Sequence, residues 1–188
     1  MRKPIKAYLI TDPFLYPQSP LEFYKFYQKV LKKHRPQFAA YRDKTMLFDS
    51  RLLEIFLELN CKFNVISLIN SNANLGLKLG FDGVHYNGAQ LDQIQNYKKR
   101  FQYVFYSAHN LQDLDKADKM GASGITISPI FQSPNKGIPL GIEFLKRINL
   151  KDYQAEIFAL GGIVTEIEIN VLKQTQIHNF ASIRYFLN

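Results

Sequence analysis

Residues Tyr103–Lys136 read YVFYSAHNLQDLDKADKMGASGITISPIFQSPNK. An apolar, β-prone run ends in Ser107-Ala108-His109. A short helical segment follows, and then a second β-prone run ends in a polar, proline-containing loop with a lysine. Polar groups thus arrive at the carboxyl ends of two successive strands joined by a helix. In parallel α/β folds that is the edge where ligands bind, so the stretch points to a phosphate-type small-molecule site.

The same alternation extends in both directions. Strands are expected at Ala7–Thr11, Phe38–Arg42, Val65–Ile69, Gly83–Tyr86, Tyr103–Ser107, Gly124–Ser128, Ile157–Leu160 and Phe180–Ile183. These runs are short, apolar and rich in β-branched or aromatic residues, as suits strands covered on both faces. Between them, Leu21–Lys33 places Phe23, Phe26, Tyr27, Val30 and Leu31 on one helical face. Phe48–Leu59 does so with Leu52, Leu53, Phe56 and Leu59, and Leu111–Met120 with Leu111, Leu114, Ala117 and Asp118. Thr165 with Glu168 three residues on is a capping box for a further helix. Eight strands, seven crossover helices and only Arg184–Asn188 after the last strand imply a compact α/β fold, a (β/α)8 TIM barrel with a truncated C-terminal helix. An open doubly wound sheet obeys the same crossover rule and is the competing arrangement.

Composition bounds the rest. The 188 residues are expected to form one domain, and 46% hydrophobic content is ordinary for a globular chain. Neither a transmembrane run nor a signal peptide is expected, since Ala7–Ile10 is too short for one and Asp12-Pro13 interrupts it; a cytoplasmic protein is the expectation. Cys61 excludes an internal disulfide and is read as a small core residue. The four histidines are not at ligand spacing, so no structural metal is expected. The net charge of +8 is spread along the chain, as of lysines solvating helix faces, and no nucleic-acid-binding module accompanies it, so nucleic-acid binding is not expected.

Several polar residues converge at the expected strand ends. Arg42 and Lys44 follow strand two, Asn70 and Asn72 strand three, and His85 and Asn87 mark strand four. Ser107, His109 and Asn110 follow strand five; Ser128, Ser133, Asn135 and Lys136 follow strand six. Gly161-Gly162 follows strand seven, Ile183 ends strand eight and Arg184 follows it. Cations gathered at one mouth attract a polyanion, and bare glycine backbone lets a phosphate approach. Each residue has a plainer reading in isolation: Gly-Gly as a tight turn, Lys136 as a solvated loop lysine, His85 as a packed strand-end residue, and His109 as a helix cap.

In their joint order, YLIT at Tyr8–Thr11, YRDK at Tyr41–Lys44, GFDGVH at Gly80–His85, SAHN at Ser107–Asn110, SPIFQSPNKG at Ser128–Gly137 and ALGGI at Ala159–Ile163 resemble the thiamine-phosphate synthase / TenI family of barrels. The resemblance implies joining of hydroxymethylpyrimidine pyrophosphate to a thiazole phosphate by dissociative displacement, with Mg²⁺ helping pyrophosphate to leave. It implies that Arg42 and Lys44 hold the pyrimidine pyrophosphate, with Asn70 and Ser133 beside it, and that Lys136, Ser107 and His109 serve the reaction. It also implies that Gly161, Gly162, Ile183 and Arg184 surround the thiazole phosphate.

The chain departs from the family's pattern where the metal would bind. Asn70-Ser71 stands for an Asn-Asp pair, Ala89-Gln90 for acidic residues after GVH, and Asp92 is displaced by two. Mg²⁺ is therefore expected only with degenerate ligands. Ala40 replaces a Gln, Arg184 a Ser, and Pro129 stands where the tautomerase branch carries a histidine. A TenI-like thiazole-phosphate binder or tautomerase and a non-catalytic phosphate-binding regulator remain open alternatives, as does the oligomeric state.

Overall fold

Each strand is only three to six residues long, and each alternates its side chains between two separate cores. The computed structural model describes residues 4–134 and 136–188; Asn135 lies outside the described residues. Strands β1 Ala7–Ile10, β2 Phe38–Tyr41, β3 Ile66–Asn70, β4 Gly83–Tyr86, β5 Tyr103–Ala108, β6 Gly124–Ile127, β7 Glu156–Leu160 and β8 Phe180–Ser182 pair in parallel in chain order. β8 pairs back onto β1 through Tyr8↔Ala181, which closes the barrel and excludes the open sheet.

Helices α1 Pro20–His34, α2 Ser50–Phe63, α3 Ala73–Leu79, α4 Gln93–Tyr97, α5 Leu111–Met120, α6 Gly141–Lys146 and α7 Glu166–Leu172 form the crossovers. After β8 the described residues form a 3-10 turn, Tyr185–Leu187. No helix among the described residues is long and apolar enough to cross a membrane.

Helix limits follow local chemistry. Ser19 caps α1 by accepting from the Glu22 N–H, Pro20 opens it, and Arg35 ends it in the left-handed region. Thr165 and Glu168 form the expected capping box at α7. α2 begins and ends later than its apolar periodicity suggests, because Asp49 caps it and Asn64 closes it in the left-handed region. Its buried side chains are Leu52, Leu53, Phe56, Leu59 and Asn60. Cys61 falls on the outer side of that helix and is exposed, contrary to its expected place in the core. The apolar neighbourhood of Cys61 in sequence belongs to other faces of the same helix.

Period-two alternation separates the cores. Leu9, Ala39, Ile69, Val84, Val104, Ile125 and Ile157 face outward against the helices. Tyr8, Ile10, Phe38, Ala40, Leu68, Phe105, Phe158 and Ala181 fill the barrel interior. Four aromatic rings make up much of that plug: Phe38 and Phe105 lie 5.0 Å apart and Phe105 and Phe158 5.5 Å apart, with Tyr8 edge-on to Phe105 at 5.3 Å. The polar residues that continue these inward positions therefore emerge together at the carboxyl end of the barrel.

Candidate functional site

Inward alternation along β1 carries Tyr8 and Ile10 on to Asp12, just beyond the strand. Alternation along β2 carries Phe38 and Ala40 on to Arg42. Asp12 is 5% exposed, and one of its carboxylate oxygens accepts from Arg42 Nη1 at 3.0 Å and from Lys44 Nζ at 3.1 Å. The other oxygen accepts from the Phe14 N–H at 3.1 Å. Lys44 also lies over the Phe14 ring, 5.9 Å from its centroid. One buried carboxylate thus gathers both cations that follow β2.

Asp12 is absent from the sequence-based site, where it reads as a breaker of the first strand. The available signal was parity: it shares its face with Tyr8 and Ile10. Asp12→Ala leaves two adjacent cations without their shared partner, so a loss of about 2 kcal/mol is expected. Asp12→Asn should lose less, since it keeps an acceptor for the Phe14 N–H. Urea unfolding of both variants checks this ordering.

Deeper in the mouth, His85 is buried, with Nδ1 2.6 Å from the Tyr8 hydroxyl and Nε2 2.9 Å from Ser107 Oγ. Burial, and secondarily the Arg42 charge, push its pKa down to about 3, so the ring is neutral at ordinary pH. His85 is the hydrogen-bonded strand-end residue the sequence suggests. Ser107 is half-buried and opens toward the mouth.

His109 does not cap α5; Asn110 does, accepting from the Asp113 N–H at 2.8 Å. His109 Nδ1 lies 2.8 Å from the Ser128 carbonyl oxygen. A carbonyl can only accept, so Nδ1 carries a proton and Nε2 is the ring nitrogen left for other partners.

The loop after β6 is seated on the glycine pair after β7. Phe131 N–H donates to the Gly161 carbonyl at 3.0 Å, and Ile130 N–H to the Leu160 carbonyl at 2.9 Å. A Cβ on Gly161 would come within 3.3 Å of Ser133 Oγ, so Ser133 stands beside that backbone. Ser133 also accepts from the Lys136 N–H through its carbonyl, at 3.3 Å. The Lys136 side chain is exposed and joins no ion pair among the described residues. Ile183 packs against the interior cluster at the end of β8, and Arg184 is exposed just beyond it.

Those of the sequence-selected residues that are described thus stand at or just after the carboxyl ends of their strands, at one end of the barrel. Arg42 with Lys44, Ser107 with His85, and Ser133 with Gly161 are brought into direct proximity. Arg184 has no side-chain partner among the described residues.

The corner after β3 and β4 is neutral. Asn70 Nδ2 donates to Ser71 Oγ at 2.8 Å and to the His85 carbonyl at 3.1 Å. Asn87 Nδ2 donates to the same Ser71 Oγ at 3.3 Å, and Gln90 Nε2 donates to the Ser71 carbonyl at 3.2 Å. The lone pairs of Ser71 Oγ face amide donors, and no carboxylate takes part. Asp92 is exposed at the start of α4. Among the described residues no three His, Cys, Asp or Glu side chains cluster to hold a metal. Mg²⁺ is usually held by one or two carboxylates together with substrate phosphates and water, and this corner supplies amides and a hydroxyl in place of the carboxylates, a poor fit to that donor set.

The family pattern described as "Thiamine monophosphate synthase" matches residues 7–186. A protein of Aquifex aeolicus named "Putative thiamine-phosphate synthase 2" is 31% identical over 189 residues, covering 97% of this chain and 97% of that one. A thiamine-phosphate synthase of Prochlorococcus marinus is 34% identical over 129 residues, which are 65% of this chain but 36% of that longer protein. The solved thiamine phosphate pyrophosphorylase from Pyrococcus furiosus shares the fold, with a TM-score of 0.78 at 18% identity over 95% of this chain and 85% of that one.

Proposed function

Since the chain belongs to the thiamine monophosphate synthase family, we propose that its barrel mouth takes phosphorylated pyrimidine and thiazole compounds and joins them into thiamine phosphate. The observation that carries this reading is the pairing of Arg42 and Lys44 on buried Asp12, at the end of the barrel that also bears Lys136 and the glycine pair.

In the reaction, the bond between the pyrimidine methylene carbon and the pyrophosphate oxygen breaks, and pyrophosphate leaves with the electron pair. The thiazole nitrogen then donates its lone pair to that carbon. Arg42, Lys44 and Lys136 are the charge partners for the leaving group, with Ser133 and the Gly161-Gly162 backbone beside the phosphates. Ser107 and His109 orient the reacting rings. No step is assigned to a metal, because the neutral Ser71–Gln90 corner does not provide for one.

Incubation with hydroxymethylpyrimidine pyrophosphate and thiazole phosphate tests this reading. Thiamine phosphate should form at a rate that excess chelator leaves within about twofold. Lys136→Ala should lower kcat/KM by about 100-fold, as for removal of one donor to developing negative charge. Product no greater than with Lys136→Ala rejects the condensation.

The same neutral corner favours a second reading, binding of thiazole phosphate or thiamine phosphate without condensation. Calorimetric titration separates the two, and no heat at millimolar ligand rejects the second.

A further inference from the structure

A line of polar side chains crosses from the aromatic interior of the barrel to its mouth. Tyr8 is fully buried among the Phe38, Phe105 and Phe158 rings, and His85 Nδ1 is its hydroxyl's hydrogen-bond partner, at 2.6 Å. None of those rings is a conventional acceptor for a phenol proton. If Nδ1 carried hydrogen, the Tyr8 O–H would be stranded in a dry site, at a cost of about 1–3 kcal/mol. Tyr8 therefore donates to Nδ1, and the neutral imidazole carries its proton on Nε2.

That assignment propagates outward. Nε2–H donates to Ser107 Oγ at 2.9 Å. Thr126 is fully buried, and its hydroxyl oxygen lies 3.4 Å from Ser107 Oγ and 3.5 Å from His85 Nε2. Since Nε2 already carries a proton, the acceptor left within reach of the Thr126 O–H is the Ser107 oxygen. Both lone pairs of Ser107 Oγ thus face donors, and its own proton is left to point into the mouth. The Arg42 charge, after burial, also disfavours a charged His85.

We infer that the Tyr8 phenol, acting through neutral His85, makes the Ser107 hydroxyl an obligate hydrogen-bond donor that selects an acceptor on the ligand. Tyr8 is a positioning residue: it lies beneath the mouth and sets the direction of a hydrogen bond two side chains away. A phosphoryl oxygen, an unprotonated ring nitrogen or a hydroxyl oxygen turned to accept satisfies Ser107, whereas an N–H at that position does not. The inference rests on the reading of the mouth as a ligand site.

The first test needs neither ligand nor variant. Long-range ¹⁵N–¹H correlation spectra of the histidine-labelled protein should show His85 as the Nε2–H tautomer, and an Nδ1–H tautomer overturns the inference. The second test is calorimetry with thiamine phosphate, pyrophosphate and hydroxymethylpyrimidine on wild type, Tyr8→Phe, Ser107→Ala and the double variant. Tyr8→Phe should weaken binding about tenfold, the worth of one neutral hydrogen bond, and should have no further effect once Ser107 is alanine.

The pyrophosphate and pyrimidine arms tell which acceptor meets Ser107. Equal Tyr8→Phe effects with and without Ser107 overturn the inference. A wild type that ignores all three ligands removes the binding function, and the imidazole spectrum still decides the direction of the line.

Discussion

Gly162→Ala is expected to destabilise the protein by about 3 kcal/mol or more and to abolish phosphate-ligand binding. Gly162 has φ of +70°, a conformation that costs an L residue about 1–2 kcal/mol. A Cβ there would also stand 2.6 Å from the Gln132 carbonyl oxygen, 2.7 Å from the Phe131 carbonyl carbon and 2.7 Å from Phe131 Cβ. Two of these three atoms belong to the backbone, so no rotamer change relieves the overlap and the loop after β6 must lift. That loop carries Ser133 and Lys136, which ties the stability loss to the site.

Gly80→Ala is the internal control. Gly80 has φ of +80°, but nothing lies within 4 Å of its Cβ direction. It should show the backbone term alone, about 1 kcal/mol, and leave binding intact. Urea unfolding and calorimetry with thiamine phosphate on the two variants separate strain from collision. Equal losses from both would refute the seating of the loop on the glycine pair.

Phe105→Ala is expected to cost about 4 kcal/mol, within the range for emptying an aromatic site in a packed core. Phe105 is 1% exposed and meets Tyr8, Phe38 and Phe158 within the barrel. It also lies against Gly124, where an added Cβ would come 2.4–2.7 Å from its ring carbons. Gly124→Ala alone should therefore destabilise by about 1–3 kcal/mol through overpacking. In the Phe105→Ala background the same methyl enters vacated space and should be neutral or stabilising. A coupling of about 2 kcal/mol between the two positions is the expected result of a double-mutant cycle in urea. Simple additivity would show that Phe105 does not occupy the space in front of Gly124.

The elements themselves were legible in the chain. Every expected strand has its counterpart within a residue or two at either end, because short β-branched and aromatic runs are local signals. α5 occupies the expected Leu111–Met120 range, flanked by the Asn110 cap and Gly121 in the left-handed region. Cys61 was misplaced because helix phase, rather than neighbourhood in sequence, decides which face is buried. Asp12 was overlooked because a carboxylate beside a proline carries the signature of a turn, and nothing local shows that two cations about thirty residues away will close on it.

Taken alone, the order of residues determined a repeating strand–helix unit and, through alternation, which polar side chains continue the inward face of each strand. Those properties depend on neighbours two to four positions apart, so they can be read without the folded molecule. Tertiary pairing decided the rest: β1 beside β2 lets Arg42 and Lys44 share Asp12, β3 beside β4 builds the neutral corner around Ser71, and barrel closure sets the line from Tyr8 to Ser107. The Tyr8–His85 bond spans 77 positions and exists only because β1 and β4 face each other across a closed sheet. Hydrogen bonds require about 3 Å between partners, and only the register and curvature of all eight strands together bring groups so distant in the chain within that range.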